Sequence, residues 1–163
     1  MPTMRQPTPV IDLLSSRFLR LSNTLGLYAS RRYREEFGIS LPEWRVLSII
    51  ASSEPTTARD VSRILATDKG WVGTTAESLR RRGLVAGAPD RNDGRRMLLS
   101  LTPAGRKLHE AVLAVARWRQ RRLLRCLPEG GGEQLIEYLD LLQAEADAML
   151  AESVVSADED VAR

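Results

Sequence analysis

Cysteine occurs once in the 163 residues, at Cys126, and histidine once, at His109. A single thiol excludes an internal disulfide and any cysteine-built zinc cluster, and it fits a reducing compartment. A lone histidine with no nucleophile or ligand cluster near it in sequence reads as structural. No stretch approaches the roughly 20 apolar residues that a membrane span needs. The opening "MPTMRQPTPV" has no apolar core of signal-peptide length, so the expected location is the cytoplasm, with no membrane partner. Paired carboxylates at useful spacing, a glycine loop that could cradle phosphate, and a nucleophile with a base are all missing. An enzyme is therefore not expected, nor a cofactor, nor a metal.

What is present is an uneven distribution of charge. The formal net charge is only +3. Yet from Arg59 to Arg96 nine basic residues stand against five acids, whereas from Glu129 onward ten acids face a single arginine, Arg163. A basic middle implies an anionic partner there, and an acidic end implies a different task.

Apolar spacing organises the chain into helices around one hairpin. Thr8-Pro9 reads as a cap and first helical position, after which Leu14, Phe18, Leu21, Leu25 and Tyr28 recur in steps of four and three until Gly38. "SLPE" at 40–43 is a capping box for a short helix with Trp44, Leu47 and Ile50 inward. Thr57 and Asp60 cap a third helix carrying Val61, Ile64 and Leu65 inward. Asp68, with Thr67, opens a fourth that places Val72, Ala76 and Leu79 on one face and stops at Gly83. Two short strands, 84–88 and 97–101, flank the loop "PDRNDGRR". Thr102-Pro103 restarts helix to about Cys126, and after a flexible "EGGG" the residues Leu135, Leu139, Leu142, Ala146 and Met149 repeat the opening stripe. The fold class is mainly α with a small β-hairpin: a winged helix-turn-helix over about 40–101 between terminal helices at about 8–37 and 103–151. Residues 152–163 read as a disordered acidic tail.

The fourth helix carries the sharpest functional signal. Opposite its apolar face the sequence places Lys69, Gly70, Gly73, Thr74, Thr75 and Ser78, with Arg81 at the end. Small and hydrogen-bonding side chains let a helix approach base edges in a major groove. Two early glycines cost about 1 kcal/mol each relative to alanine, which close approach of a partner would justify. Of Arg80, Arg81 and Arg82, which also complement the helix dipole, at least one is a candidate for phosphate. The wing offers Arg91, Asn92, Asp93, Gly94, Arg95 and Arg96, with the Asp93 carboxylate placed to orient the Arg95 guanidinium and the loop able to enter a minor groove. Both terminal stripes exceed what one small winged domain covers, so a second chain related by a two-fold axis is expected to bury them, making the DNA site palindromic.

The runs "TTARDVSRILATDKGWVGTTAESLRRRGLV" and "DRNDGRRMLLSLTPAGRKL" resemble the MarR (multiple-antibiotic-resistance regulator) family of winged-helix transcription factors over about Val10 to Leu150. The most specific part is "GLV", then Asp93-x-Arg95, then "LSLTPAG". The resemblance implies a homodimer with intertwined terminal helices, residues 68–82 as recognition helix, and Asp93 and Arg95 as the wing's paired residues. It also implies repression relieved by a small aromatic or phenolic effector, with Phe18, Tyr28, Trp44 and Trp71 as candidate pocket walls and Arg17 or Arg45 for a carboxylate. Gly73-Thr74 and Gly87 depart from the family pattern by removing polar groups that face DNA. Cys126 lies late in the chain, unlike the N-terminal cysteine of peroxide-sensing relatives. A winged-helix protein-interaction module that does not bind DNA is the alternative those departures keep open.

Overall fold

The computed structural model describes residues 9–161, with side chains described through 152. A 3-10 turn, Val10–Asp12, precedes six helices and one hairpin: α1 Leu14–Phe37, α2 Leu41–Ser53, α3 Ala58–Ile64, α4 Lys69–Arg81, β1 Val85–Pro89, β2 Met97–Leu101, α5 Pro103–Leu124 and α6 Gly131–Val161. Two compact units result, the first ending at Ala114 and the second beginning at Val115, so α5 carries the boundary.

The first unit holds the winged helix-turn-helix. Its core is Tyr33, Ile39, Val46, Leu47, Ile50, Val61, Val72, Leu79 and Val112, each essentially inaccessible to solvent. Only the last turns of α1 join that core, through Ala29 and Tyr33. The first expected helix start is corrected: Thr8 lies outside the described residues, Pro9 heads the 3-10 turn, and extended Leu13 separates that turn from α1. Gly38 closes α1 with φ 61°, a left-handed conformation glycine adopts without strain. The capping box of α2 forms as its sequence implies: Ser40 accepts from the Glu43 backbone N–H, and Glu43 accepts from the Ser40 backbone N–H at 3.0 Å. Thr57 and Asp68 cap α3 and α4 by the first of these bonds alone, accepting from the Asp60 and Trp71 backbone N–H groups. Ile64, expected inside, is half exposed: α3 lasts only seven residues and Ile64 falls on its outer side at the last turn.

The strands pair antiparallel in register, Val85 opposite Leu101 through Pro89 opposite Met97. A third position joins them, where Thr56 and Leu99 exchange backbone hydrogen bonds at 3.1 and 2.7 Å. Glu54 fixes this corner, accepting from the Leu101 backbone N–H at 2.7 Å and from Arg106 at the start of α5. Both partners, the Leu101 N–H first, hold its carboxyl below the usual range. Thr102 works in two directions: its hydroxyl donates to the Gly83 carbonyl at 2.6 Å and accepts from the Gly105 N–H at 3.0 Å. There α5 lies against the chain so closely that a Cβ on Gly105 would overlap the Leu84 carbonyl oxygen.

In the second unit, the later part of α5 carries Trp118 with the Arg122 guanidinium 5.5 Å from its ring centroid. Gly130, at φ 72°, turns the chain into α6, and Gly131 and Gly132 already belong to that helix instead of to a flexible linker. Leu135, Leu139, Leu142 and Met149 are between 39% and 63% exposed, so in the single chain the stripe is bare. The backbone of α6 runs to Val161, where a disordered tail was expected from residue 152; no glycine or proline interrupts that stretch. Side chains from 153 onward lie outside the described residues. No helix among the described residues is long and apolar enough to cross a membrane.

Replacing Gly105 with alanine should destabilise the first unit by roughly 2–4 kcal/mol, because the added carbon meets backbone that cannot yield cheaply. Urea unfolding of the G105A protein measures it; a loss under 1 kcal/mol would contradict the close approach of α5.

Candidate nucleic-acid interface

The exposed surface of α4 follows from its helical phase. With Val72, Ala76 and Leu79 inward, 100° per residue places Thr75 at the edge of the same face, about 60° from Val72, and Thr75 is indeed buried, its hydroxyl donating to the Trp71 carbonyl at 2.9 Å. Thr75 is therefore not available as a base reader. Ser78 is withdrawn as well: its hydroxyl donates to Glu43 at 3.0 Å, across 35 residues of sequence. The outward strip consists of Gly70, Thr74, Glu77 and Arg81, with Lys69 at the first turn and Gly73 at the edge. A Cβ on Gly73 would meet nothing within 4 Å, so the gap there serves no neighbour among the described residues. Gly70 is different, since a Cβ would sit 3.0 Å from the capping Asp68 carboxylate. Asp68 itself accepts from the Trp71 N–H at 2.8 Å, placing its negative charge at the α4 N-terminus.

The three consecutive arginines separate into three roles. Arg80 pairs with Glu77 at 2.7 Å and lies along β1, where a Cβ on Gly87 would come within 3.1 Å of its Nε and 2.9 Å of the Met97 sulfur. The bare Gly87 thus makes room for Arg80 and Met97. Arg82 turns inward, pairing with Glu43 at 2.9 Å and donating to the Gly38 carbonyl at 2.9 Å. Arg81 alone points out with no ion pair among the described residues.

The wing is shaped by its acids. Asp90 accepts from the Asn92 N–H at 2.9 Å, Asp93 accepts from the Arg95 N–H at 3.1 Å, and the Asp93 carbonyl accepts from the Arg96 N–H at 2.8 Å. Asp93 therefore fixes the backbone of Arg95, and the expected contact with its guanidinium is not made. This is the ordinary preference of aspartate for the N–H two residues on. Arg91, Asn92, Gly94, Arg95 and Arg96 are all exposed. Between wing, α3 and α4 lies a cleft of about 510 Å³ lined by Arg59, Lys69, Arg95 and Arg96 together with Thr57, Ala58, Asp93 and Met97. Four cations around one concavity make it a place for polyanion, not for apolar packing.

The candidate effector residues do not converge. Trp44 is core, 5.7 Å from Tyr33 edge-on and stacked 5.4 Å from His109. Arg17 pairs with Asp12 at 2.8 Å near the start of α1. Phe18 and Tyr28 are ten residues apart on one helix, about 15 Å at 1.5 Å per residue. Trp71 belongs to the first turn of α4. Tyr28 alone borders an open groove of about 520 Å³ along α1, with Leu27, Arg31, Arg32, Glu35 and Glu36. Cys126 is exposed.

Glu43 was legible as a capping residue but not as a junction. Burial pushes its carboxyl upward; hydrogen bonds from the Ser40 backbone, Arg82, the Ser40 hydroxyl and Ser78 outweigh that and hold it at about 2.

Helix, turn, outward helix and arginine-tipped hairpin define a winged helix-turn-helix protein. The MarR family model matches residues 37–96. A MarR/EmrR family transcriptional regulator from Acinetobacter sp. ADP1 is similar in structure with a TM-score of 0.76 at 29% identity, over 82% of this chain and 94% of that one. A probable transcriptional regulator from Pseudomonas aeruginosa matches at 30% identity with a TM-score of 0.68, over 82% of this chain and 99% of that one. Staphylococcus aureus MepR, in a complex with DNA, shares the fold with a TM-score of 0.73 at 22% identity, over 85% of this chain and 99% of that one. An uncharacterized HTH-type transcriptional regulator of S. aureus strain Mu50 is 32% identical over 78 residues, 48% of this chain. The chain spans about half the length of the curated relatives it matches, 53%. The chain belongs to the MarR family.

Because the Glu43 carboxyl titrates lower folded than unfolded, its contribution to stability is complete above about pH 4.5 and disappears as pH falls through about 2. Between pH 5 and pH 2 the wild-type protein should lose about 2 kcal/mol more unfolding free energy than E43Q. Urea titrations at the two pH values give that difference, and parallel losses in the two proteins would refute it.

Proposed function

We propose that this chain is a sequence-specific double-stranded DNA-binding transcriptional regulator acting as a homodimer on a palindromic operator. The observation that carries this reading is the cleft of four cations, Arg59, Lys69, Arg95 and Arg96, opening beside a helix whose outward side carries only the small residues Gly70, Gly73 and Thr74 before Glu77. Lysine and arginine at the rim release counterions from phosphate. The bare strip lets α4 sink into the major groove, which is just wide enough for a helix. Thr74, Glu77 and Arg81 then remain as the side chains able to meet base edges, while the wing arginines lie along the adjoining backbone or minor groove. MepR was solved with DNA, and Streptococcus pneumoniae FabT likewise, on this fold.

Dimerisation is supported by the apolar faces left open in the single chain. Val10, Ile11, Leu14, Leu19 and Leu27 in the first unit, and Leu141, Met149 and Leu150 in the second, are each more than half exposed. Such area is stable in water only when another surface covers it, and a two-fold copy presents two α4 helices to one duplex. The finer reading is a repressor released by a small aromatic or phenolic acid, which shifts the population toward dimers whose recognition helices no longer match one helical turn of DNA. The groove beside Tyr28 and Arg31 offers a phenol and a cation for such a ligand.

Three outcomes test this. Gel shift with the DNA upstream of its own gene should show sequence-dependent retardation at moderate salt; its absence would favour the protein-interaction alternative that the bare Gly73 and Gly87 leave open. Losing Arg95 should flatten the slope of log affinity against log salt by about one. The G73A protein should gain about 0.5–1 kcal/mol in stability, since its Cβ enters open space in a helix, yet bind DNA at least several-fold more weakly. Unchanged affinity in G73A would show that nothing approaches there.

A further inference from the structure

We propose that Glu43, Ser78 and Arg82 form a clamp that sets the roll of the recognition helix against the α1–α2 junction, so that Ser78 and Arg82 serve DNA binding by positioning α4 without touching DNA. The proposal rests on the DNA-binding reading above. The apolar contacts of α4, through Val72, Ala76 and Leu79, decide which face turns inward but fix the roll about its axis less sharply than a directional bond does. Hydrogen bonds are directional. At the last turn of α4 the Ser78 hydroxyl donates to Glu43 Oε1 at 3.0 Å, and Arg82 reaches Glu43 Oε2 at 2.9 Å. The same guanidinium donates to the Gly38 carbonyl at 2.9 Å, so one planar fork grips both the closing residue of α1 and the first turn of α2. Glu43 is in turn fixed by Ser40, whose backbone N–H and hydroxyl donate to it at 3.0 and 2.8 Å.

The leverage is geometric. A helix carrying side chains has a radius of about 5–6 Å, so a 20° roll displaces its outer strip by about 2 Å. That exceeds the spread of workable hydrogen-bond lengths, about 2.7–3.2 Å, and would take Thr74 and Glu77 out of register with any base pair. Because Gly38 ends the helix that carries the first unit's exposed apolar face, the clamp is also where α1 and α4 are mechanically joined. Arg82 has both terminal nitrogens committed inward, which separates it from Arg81, one position earlier and exposed, with no ion pair among the described residues.

The test uses the full-length protein and the variants E43Q, S78A and R82Q, the E43Q/R82Q double variant, and V112A as a control that lowers stability at a buried site outside the clamp. Amide hydrogen exchange of α4 in the free protein, and affinity for the upstream DNA across a salt series, are read side by side. The expected result is faster exchange over residues 73–82 in each clamp variant, and affinity weakened about tenfold in E43Q and R82Q with the salt slope unchanged, a loss of about 1.4 kcal/mol in binding. The double variant should bind no worse than the weaker single one, because the two changes break one device. V112A should bind within about twofold of wild type. S78A, which removes one bond and leaves the ion pair, keeps the test open should the charged variants fold poorly. A salt slope flattened by about one in R82Q, or α4 exchange equal to wild type in the clamp variants, overturns the proposal. Failure of the wild-type protein to bind any duplex instead overturns the DNA-binding reading, and the exchange data then decide the clamp alone.

Discussion

Four donors converge on one carboxylate. Glu43 takes hydrogen bonds from its own helix cap and from the far end of α4, two segments that sequence keeps 35 residues apart. Taking a charge out of water is unfavourable, and a partly buried glutamate persists only where donors replace its hydration. Here the replacement joins three pieces of backbone: the end of α1, the start of α2 and the last turn of α4. Glu54 does the same on the opposite side, where it holds β2 and the first turn of α5. The winged unit is therefore fastened by two acids near the ends of α2, with an apolar core between them.

Much of this architecture could be read in advance because it is local. Capping boxes, proline at a helix start and glycine at a helix end act within four residues, and each of α2, α3, α4 and α5 begins where its cap stands. The hairpin followed from "PDRNDGRR" between two apolar runs. What escaped reading was phase and distance. Thr74 and Thr75 are chemically alike, yet a 100° rotation puts one outside and the other in the core. Ser78 and Arg82 look like surface residues until their partner arrives from another helix. Trp44 looked like a pocket wall because an aromatic at helical spacing says nothing about which cavity, if any, it lines. The bridge between Thr56 and Leu99 is one residue wide, too short to leave a pattern. Ile64 belongs to a helix of seven residues, too brief for periodicity to fix a face.

The positions that depart from the family pattern acquire separate physical meanings. Gly87 is occupied space, filled by Met97 and Arg80 from neighbouring elements. Gly73 borders open space, with no atom of the described residues within 4 Å of where a Cβ would sit. Two glycines that looked equivalent in sequence thus differ: the first belongs to packing inside the hairpin, and the second to the outer surface. Glu77, which periodicity also assigns to the outer strip, brings a negative charge to a face otherwise free of acids and keeps Arg80 beside it.

The wing offers a last distinction. Its acids grip main-chain N–H groups at residues 92 and 95 and leave the guanidinium groups of Arg91, Arg95 and Arg96 without ion pairs among the described residues. The main chain is held by hydrogen bonds, and no ion pair among the described residues holds the tips. Such a tip behaves as a tether: it can find a phosphate over several ångströms of travel, at the expense of rotamer freedom when it does. Duplexes whose grooves differ in width should consequently be accommodated alike at the wing, leaving discrimination between them to the helix that cannot adjust.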